Sequence, residues 1–287
     1  MEYTLTLPEN FESMDLASLL ENVWLVPRKV RHFLRTRRNV LVNHQVLPFH
    51  EQVNAGDIIT LTFEDSDYKQ PEIALGSSQN VTVLFEDDHL IIVNKPYGMK
   101  THPNTPEENH TLLNHVAAYL EPVDQLPYVV HRLDKDTSGA IVFAKNPFIL
   151  PILGRMLEAK DITRIYQALV SGNLDEGRFT INKKITTDRH DKRKRIVSTT
   201  HGQEAITHVT VEKSENNEAY VLCVLETGRT HQIRVHLESI GHPILGDPLY
   251  NPRPQQASRL MLHAKTLQLE HPFTKELITV QAEPGLW

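Results

Sequence analysis

A long series of strand-forming segments, beginning at Val81, constrains the fold more than any other feature. Many of these segments are rich in Val, Ile, Leu, Thr and Tyr, which suit a pleated, half-buried surface. We predict strands at residues 81–85, 90–94, 139–145, 164–170, 178–182, 205–212, 219–226, 261–269 and 277–282. Helical periodicity is confined to residues 111–120, 147–159 and 230–240. This pattern predicts an α+β domain over residues 80–287, with a mostly antiparallel mixed β-sheet and flanking helices.

A smaller unit precedes this domain. Residues 15–23 have the apolar spacing of a short helix, with Asp15 as a candidate N-cap. A second helix is predicted over residues 27–37, followed by short strands. The polar residues 65–79 are interpreted as a linker. We therefore predict a small α/β module over residues 1–70.

The net charge of −6 argues at first against a nucleic-acid partner, but the basic residues are unevenly distributed. Residues 27–38 carry six Lys and Arg and no acidic residue, and residues 183–195 carry seven against two Asp. Either cluster alone is equally consistent with a solvated surface. Two basic patches on an acidic body favour a polyanionic partner.

Several protein classes are disfavoured by composition. No run of about 18 apolar residues indicates a membrane span. The acidic N-terminus lacks an apolar signal region, and Cys223 is the single cysteine. We therefore expect a cytoplasmic protein without disulfides, with Cys223 in the core. The histidine spacing matches no metal motif, and no Gly-rich phosphate loop is present, so neither a metal nor a nucleotide cofactor is expected.

A polar loop bounded by apolar residues is the first candidate for chemistry. It runs from Tyr128 to Gly139, contains Asp134 and Asp136, and is followed by an apolar strand. An ionised Asp in such a loop can act as a nucleophile or a base. Asp, Thr, Ser and Gly also form turns, so these residues alone explain Asp134 equally well as a turn residue. For Asp136 the turn is the preferred explanation.

The second candidate segment is residues 162–170. Strand alternation places Arg164 and Tyr166 on one face. A tyrosine beside an arginine can stack on a base, although a core tyrosine is the commoner case.

The third segment begins at Glu226 and contains a predicted helix. Its aliphatic stripe leaves His231 and Arg234 on the opposite face, and Thr230 is a candidate N-cap. If that polar face meets Asp134, Arg234 supplies the fixed positive charge that a buried carboxylate requires.

Together, these segments resemble the pseudouridine synthases of the RluA/RluD type, which act on structured RNA. The resemblance covers residues 81–287 and keeps the family's motif order and approximate spacing. The motifs are His131-Arg132-Leu133-Asp134-x-x-Thr137-Ser138-Gly139, Tyr166-x-Ala168-x-Val170, Thr227-Gly228-Arg229-Thr230-His231-Gln232-Ile233-Arg234-Val235-His236 and Pro243-Ile244-Leu245-Gly246-Asp247. The N-terminal module is similar to the RNA-binding domain named after the fourth small-subunit ribosomal protein.

The resemblance implies a monomeric enzyme that converts specific uridines in RNA, chiefly ribosomal RNA, to pseudouridine without a cofactor or metal. Asp134 would be the catalytic aspartate, Tyr166 would stack on the uracil, and Arg234 would pair with Asp134. The implied substrate contacts are Arg132, Leu245, Arg229 and His231. The implied RNA contacts of the basic helix are Arg28, Lys29, Arg31 and Arg35.

Some alternatives stay open at this stage. Asp134 could attack the sugar or the base, or act as a base toward the ribose. A non-catalytic RNA-binding or ribosome-assembly factor would explain the basic segments without chemistry. A glycosidase or hydrolase would need Asp134 and Asp136 as its acid–base pair, although two positions apart in a turn is a poor basis for such a pair.

Overall fold

The computed structural model of the protein describes residues 1–285 and 287. Its N-terminal part is a small α/β unit. The strands are β1 (Glu2–Thr6), β2 (Met14–Asp15), β3 (Val40–Val42), β4 (Gln45–Val46), β5 (Gln52–Val53) and β6 (Ile58–Thr62). Four of them pair in the order β1-β6-β3-β4, while β2 pairs with β5. The helices are α1 (Leu16–Ser18), which continues as a π-helical turn (Leu19–Val23), and α2 (Arg28–Arg37). Asp15 caps α1 as predicted, because its Oδ1 accepts the Ser18 N–H at 2.9 Å.

The rest of the chain is built on a large mixed sheet. Its strands are β7 (Val83–Glu86), β8 (Leu90–Lys95), β9 (Tyr128–Val129), β10 (Ser138–Ala144), β11 (Ile162–Ser171), β12 (Gly177–Asn182), β15 (Ile206–Glu215), β16 (Glu218–Leu225), β17 (Leu262–Glu270) and β18 (Leu277–Gln281). A separate hairpin consists of β13 (Lys184–Thr187) and β14 (Arg195–Ser198). The helices are α3 (Leu112–Leu120), α4 (Leu150–Glu158) and α5 (Gln232–Glu238), and 3-10 turns lie at Ser78–Asn80, Glu121–Val123 and Pro254–Gln256.

The strand order of the large sheet brings distant segments together. It runs β12-β15-β16-β11-β17-β10-β8-β7, with β18 on β17 and β9 on β10. The pairing of β10 with β17 is parallel, and the other pairings among the described residues are antiparallel. The predicted α+β class with a mixed, mostly antiparallel sheet is therefore confirmed.

The backbones of β10 and β17 approach each other closely at Gly139. Gly139 has φ +120°, and a Cβ at this position would lie 2.2 Å from the Ala264 carbonyl oxygen. Only glycine permits this approach of two backbones. The glycine thus fixes the start of β10 directly after the polar loop that carries Asp134.

The two parts of the chain share one apolar core. Phe148 lies at its centre, with ring centroids 5.8 Å from Tyr3, 5.4 Å from Phe63 and 5.5 Å from Phe273. Arg155 on α4 donates to the backbone carbonyls of the π-helical turn. Burying each large apolar side chain contributes about 1.5–3 kcal/mol, so this interface fixes the N-terminal unit against the large sheet. The division into residues 1–70 and 80–287 stays a sequence-based prediction.

Candidate active site

A cleft of about 590 Å³ opens beside the large sheet. Its walls come from the loop before β10, from β11, and from the segment that leads into α5. Asp134, Tyr166, His231 and Arg234, which are up to 100 residues apart in sequence, all line it. The volume lies in the usual range for small-ligand sites of about 300–1,000 Å³.

Hydrogen bonds from buried side chains hold the backbone of the residues directly before and after Asp134. The Oγ1 of buried Thr101 donates to the Leu133 carbonyl at 2.8 Å and accepts the Leu133 N–H at 3.1 Å. On the other side, the Nζ of Lys95 donates to the carbonyl of Lys135 at 3.1 Å. The Asp134 carbonyl also accepts the Thr137 N–H at 3.1 Å. Asp134 is therefore both a turn residue and a wall of the cleft, and the two sequence-based interpretations do not exclude each other.

Lys95 is a buried cation with a structural task. Its Nζ also donates to the carbonyls of Pro96 at 3.1 Å and Met99 at 2.7 Å, so three acceptors match the three N–H groups of an ammonium. Burial lowers the pKa of Lys95 to about 7, against the opposing influence of Asp134 and then Asp136. Lys95 thus ties the end of β8 to the loop that presents Asp134.

The start of α5 differs from the prediction. His231, not Thr230, occupies the N-cap position, and its backbone is left-handed with φ +58°. The His231 side chain makes no capping hydrogen bond to the helix. Instead, Gln232 Oε1 accepts the Arg229 N–H at 3.0 Å and the Thr227 hydroxyl at 2.8 Å. Non-glycine residues in this conformation cost free energy and concentrate at functional sites.

His231 faces the carboxylate of Asp134. Its Nε2 lies 3.8 Å from Asp134 Oδ2, and its Nδ1 lies 2.8 Å from the hydroxyl of Tyr250. Burial lowers the pKa of His231, while Asp134 opposes this and Arg234 reinforces it. A neutral imidazole beside Asp134 can donate through Nε2.

Arg234 lies beside Asp134, as predicted, and has a second, closer carboxylate partner that was not predicted. Its Nη1 lies 3.8 Å from Asp134 Oδ2, but its close partner is the buried Asp247. Nε donates to Asp247 Oδ2 at 2.8 Å and Nη2 donates to Oδ1 at 2.7 Å. Burial lowers the pKa of Arg234, but the hydrogen bonds and charge of Asp247, followed by the charge of Asp134, raise it above its ordinary value. Arg234 is therefore a cation that Asp247 fixes through two hydrogen bonds and that forms a longer ion pair with Asp134.

Tyr166 forms part of the cleft wall and is 5% exposed. Burial raises the pKa of its hydroxyl, with Arg164 opposing and Asp134 reinforcing the shift.

Leu245 was expected to contact the substrate, but it lies in the apolar cluster beneath the cleft and is absent from the cleft wall formed by the described residues. Its backbone N–H donates to the Leu169 carbonyl of β11 at 2.8 Å, and its side chain, 2% exposed, lies in the core. Leu262 on β17 is an apolar residue that does line the cleft.

The cleft also carries several arginines. Arg132 and Arg229 are exposed on its wall, as expected for substrate contacts, and Arg229 Nε donates to the Glu204 carbonyl at 3.0 Å. Arg164 lies beside the Gly228 loop, and its Nε is buried without a partner among the described residues. These cations give the cleft an anion-attracting rim around the half-buried carboxylate of Asp134.

Comparison with known proteins gives this cleft its context. The family model described as RNA pseudouridylate synthase matches residues 89–239, just over half of the chain. The chain belongs to the RNA pseudouridine synthases. It isomerises uridine in RNA to pseudouridine. A second model, described as the RluD ribosomal pseudouridine synthase N-terminal domain, matches residues 3–59. The resemblance to the RluA/RluD type is thereby confirmed.

Individual relatives agree with the family models. The chain is 40% identical over 271 residues to the uncharacterized RNA pseudouridine synthase YhcT of Bacillus subtilis, covering 93% of this chain and 88% of the relative. It is 36% identical over 289 residues to ribosomal large subunit pseudouridine synthase D of Nitrosomonas europaea, covering 96% and 82%. The solved structure of human RNA pseudouridylate synthase domain containing 1 matches with a TM-score of 0.62 at 28% identity, covering 75% of this chain and 88% of that one.

The predicted RNA contacts of this pseudouridine synthase lie on α2. Arg28, Lys29 and Arg35 are exposed there, as the sequence suggested. Arg31 is different, because its guanidinium is bound to Glu21 and its side chain is only 16% exposed. Arg38, at the C-terminal cap of the helix, is exposed and shares a groove with Arg35. Arg31 is therefore less available to bind a phosphate than the exposed Arg28, Lys29 and Arg35.

Several residues that build the site were not predicted from the sequence. Lys95 could have been found as a charged residue at the end of an apolar strand, directly before Pro96. Asp247 was quoted in a motif without a role. A Cβ at Gly246, with φ +70°, would lie 1.8 Å from the Arg259 carbonyl oxygen, so this glycine lets the backbone bring Asp247 under Arg234. No sequence pattern pairs Tyr250 with His231.

Two further observations concern the described residues. None of their helices has the length and apolar character needed to cross a membrane. No group of three or more His, Cys, Asp or Glu in this part of the chain is arranged to hold a metal ion.

Proposed function

We propose that this enzyme isomerises uridines in ribosomal RNA, with Asp134 as its catalytic carboxylate. The observation that carries this proposal is the placement of Asp134 Oδ2 at 3.8 Å from both Arg234 Nη1 and His231 Nε2, in a cleft walled by Tyr166. Its relatives named ribosomal large subunit pseudouridine synthase D suggest the RNA class. We propose that it acts in the cytoplasm as a monomer.

The geometry suits cleavage of a glycosidic bond. The reaction breaks the N1–C1′ bond, forms a C5–C1′ bond, removes a proton from C5 and adds one at N1. Positive charge develops at C1′ during cleavage, and a carboxylate stabilises or captures such a centre. We assign that role to Asp134. Arg234 and His231 hold its side chain in place, and Tyr166 faces the detached uracil.

The other carboxylates are poorer candidates. Glu226 on the cleft wall is engaged by Lys160 at 2.7 Å and by His208 at 2.6 Å. Glu158 lies at the exposed rim, and Asp136 does not belong to the described wall. A glycosidase that uses Asp134 with Asp136 would need both carboxylates in the cleft.

We propose that the target base leaves the RNA stack to reach Asp134. A stacked base is out of reach of a side chain in a cleft, and flipping it costs a few kcal/mol. Phosphate contacts offset such a cost. Exposed Arg132 lies beside the cleft entrance, where it would fill the vacated stack or contact the backbone. Arg229 and the Tyr166 ring would contact the flipped nucleotide.

We propose further that residues 1–70 form an RNA-binding module and residues 80–287 the catalytic domain. The exposed cations of α2 lie on the first part, which the shared aromatic core fixes against the second. A rigid link of this kind would set the distance between the RNA held by α2 and the cleft.

The direct test maps pseudouridines in the RNA of cells that lack the gene and carry either the wild-type or the Asp134→Asn protein. We expect at least one ribosomal site to depend on the wild-type protein and to stay unmodified with Asp134→Asn. Asp136→Asn is the matched control and should restore the site. Identical maps with and without the gene would contradict the function, and full rescue by Asp134→Asn would contradict the assignment of Asp134. Dependence confined to non-ribosomal RNA would exclude only the ribosomal substrate.

A further inference from the structure

The second basic segment of the sequence forms a hairpin arm that packs against Val235 of α5 and Tyr250, near the cleft. It builds the hairpin β13–β14, whose loop exposes Arg189 and Lys192. Neither has an ion-pair partner among the described residues, whereas Arg193 is bound to Asp191 at 2.8 Å. Two unpaired cations on a two-stranded arm suit contact with RNA phosphates.

Tyr250 joins this arm to the cleft. Its hydroxyl accepts the backbone N–H of Arg195, the first residue of β14, at 2.8 Å. The same hydroxyl lies 2.8 Å from His231 Nδ1. A hydroxyl that accepts an N–H keeps its own proton to donate, so it donates to Nδ1. His231 then carries its proton on Nε2, the atom that faces Asp134.

The ring of Tyr250 supports the rest of the constellation. The Arg234 guanidinium lies over it, 5.1 Å from the ring centroid. The Tyr250 backbone N–H donates to Asp247 Oδ1 at 3.1 Å, the oxygen that also accepts from Arg234. A single buried residue thus touches His231, Arg234 and Asp247, while its hydroxyl holds the loop end of the hairpin, where Arg195 pairs with Thr187.

We propose that Tyr250 is a positioning residue that couples RNA contact on the β13–β14 hairpin to the alignment of His231 and Arg234 around Asp134. RNA that binds Arg189 and Lys192 holds the hairpin, and with it the Arg195 N–H. That N–H keeps the Tyr250 hydroxyl directed at His231 Nδ1. RNA on the hairpin thus stabilises the aligned arrangement, in which the Tyr250 hydroxyl contacts both the Arg195 N–H and His231 Nδ1. This inference rests on the proposed role of Asp134.

The first experiment separates positioning from mere packing. Tyr250→Phe keeps the ring under Arg234 and removes only the hydroxyl. We expect kcat to fall about tenfold, as loss of one oriented hydrogen bond implies, with KM changed less than about twofold. Tyr220→Phe is the matched control, because its hydroxyl also donates to a side chain, Gln167 Oε1 at 2.6 Å, outside the cleft. It should keep wild-type kcat. Equal kcat for Tyr250→Phe and the wild type would overturn the proposal.

The second experiment tests the coupling itself in a double-mutant cycle. The hairpin variant combines Arg189→Gln with Lys192→Gln. In the wild-type background we expect it to raise KM and lower kcat, whereas in Tyr250→Phe it should raise KM and leave kcat unchanged. The same factor in kcat in both backgrounds would overturn the coupling. These outcomes are separable from failure of the proposed function, which would appear as full activity of Asp134→Asn.

Discussion

Arg234 donates two hydrogen bonds to Asp247, and its third nitrogen, Nη1, lies 3.8 Å from Asp134. Asp247 is fully buried and also accepts the backbone N–H groups of Leu249 and Tyr250. The pair is therefore a rigid, charge-assisted unit, and Asp134 meets it only at its edge. We therefore assign a stabilising role to the Asp247 carboxylate and the catalytic role to the Asp134 carboxylate.

We predict that Asp247→Asn mainly lowers the free energy of unfolding, whereas Asp134→Asn mainly removes catalytic activity. Asp247→Asn leaves Arg234 buried without its counter-charge, and breaking such a pair costs about 3–5 kcal/mol. Asp134, whose side chain is 21% exposed, has only 3.8 Å contacts, so Asp134→Asn should change the free energy of unfolding by less than about 1 kcal/mol and abolish turnover. Urea unfolding and single-turnover assays check both. Equal destabilisation by the two variants would contradict this assignment.

Lys95→Met should impair catalysis by loosening the loop that presents Asp134. The substitution leaves three carbonyl groups without a donor, each at a cost of about 1–3 kcal/mol. We expect a lower kcat together with a lower free energy of unfolding. Lys145→Met is the matched control: this buried lysine is bound to Glu86 and the Asp87 carbonyl, outside the cleft. It should lose stability and keep kcat. A proportional loss of kcat in the control would show that Lys95 acts only through stability.

The basic helix should contribute to RNA binding through Arg35 more than through Arg31. Arg35 is exposed, and no ion pair of the described residues includes it, whereas Arg31 is bound to Glu21. Arg35→Gln should weaken RNA binding and reduce the slope of log affinity against log salt by about 0.7–0.9, the value for one phosphate contact. Arg31→Gln should change that slope less. Filter binding at several salt concentrations measures both, and the reverse order would remove Arg35 from the RNA surface.

Acid should unfold the protein through its buried histidines. Burial lowers the pKa of His89 to about 4, of His131 to about 3 and of His263 to about 4, so each stays neutral in the folded protein after its unfolded counterpart has been protonated. The stabilisation is present above pH 6.5 and is lost as pH falls below it. With three such groups the loss approaches about 4 kcal/mol per pH unit. His263→Gln should reduce the measured slope by about 1.4 kcal/mol per pH unit, the most that one such group contributes. Urea titrations between pH 6.5 and 4.5 measure this change. An unchanged slope would contradict the assignment.

Much of the architecture followed from the sequence alone. The nine predicted strand segments became β7, β8, β10, β11, β12 and β15 through β18, whereas β9 and the β13–β14 hairpin were not predicted. Apolar periodicity located α3, α4 and α5 to within a few residues. Such patterns survive because burial of one face is a local requirement of a strand or helix. The residues that meet in the cleft could also be nominated, since Asp134, Tyr166, His231 and Arg234 stood out by chemistry.

Their partners were decided only in three dimensions. The sequence placed Arg234 on a polar helix face, but whether it would bind Asp134 or Asp247 depended on the bend at Gly246 and on the turn that follows it. The same holds for Leu245, which turned into the core while Leu262 reached the cleft, and for Lys95 and Tyr250, whose partners lie 40 and 19 residues away. A hydrogen bond requires two groups within about 3 Å, and sequence spacing fixes such distances only within one helix or strand. The sequence thus determined which side chains carry the chemistry of this protein, and the packing of the sheet decided which of them touch.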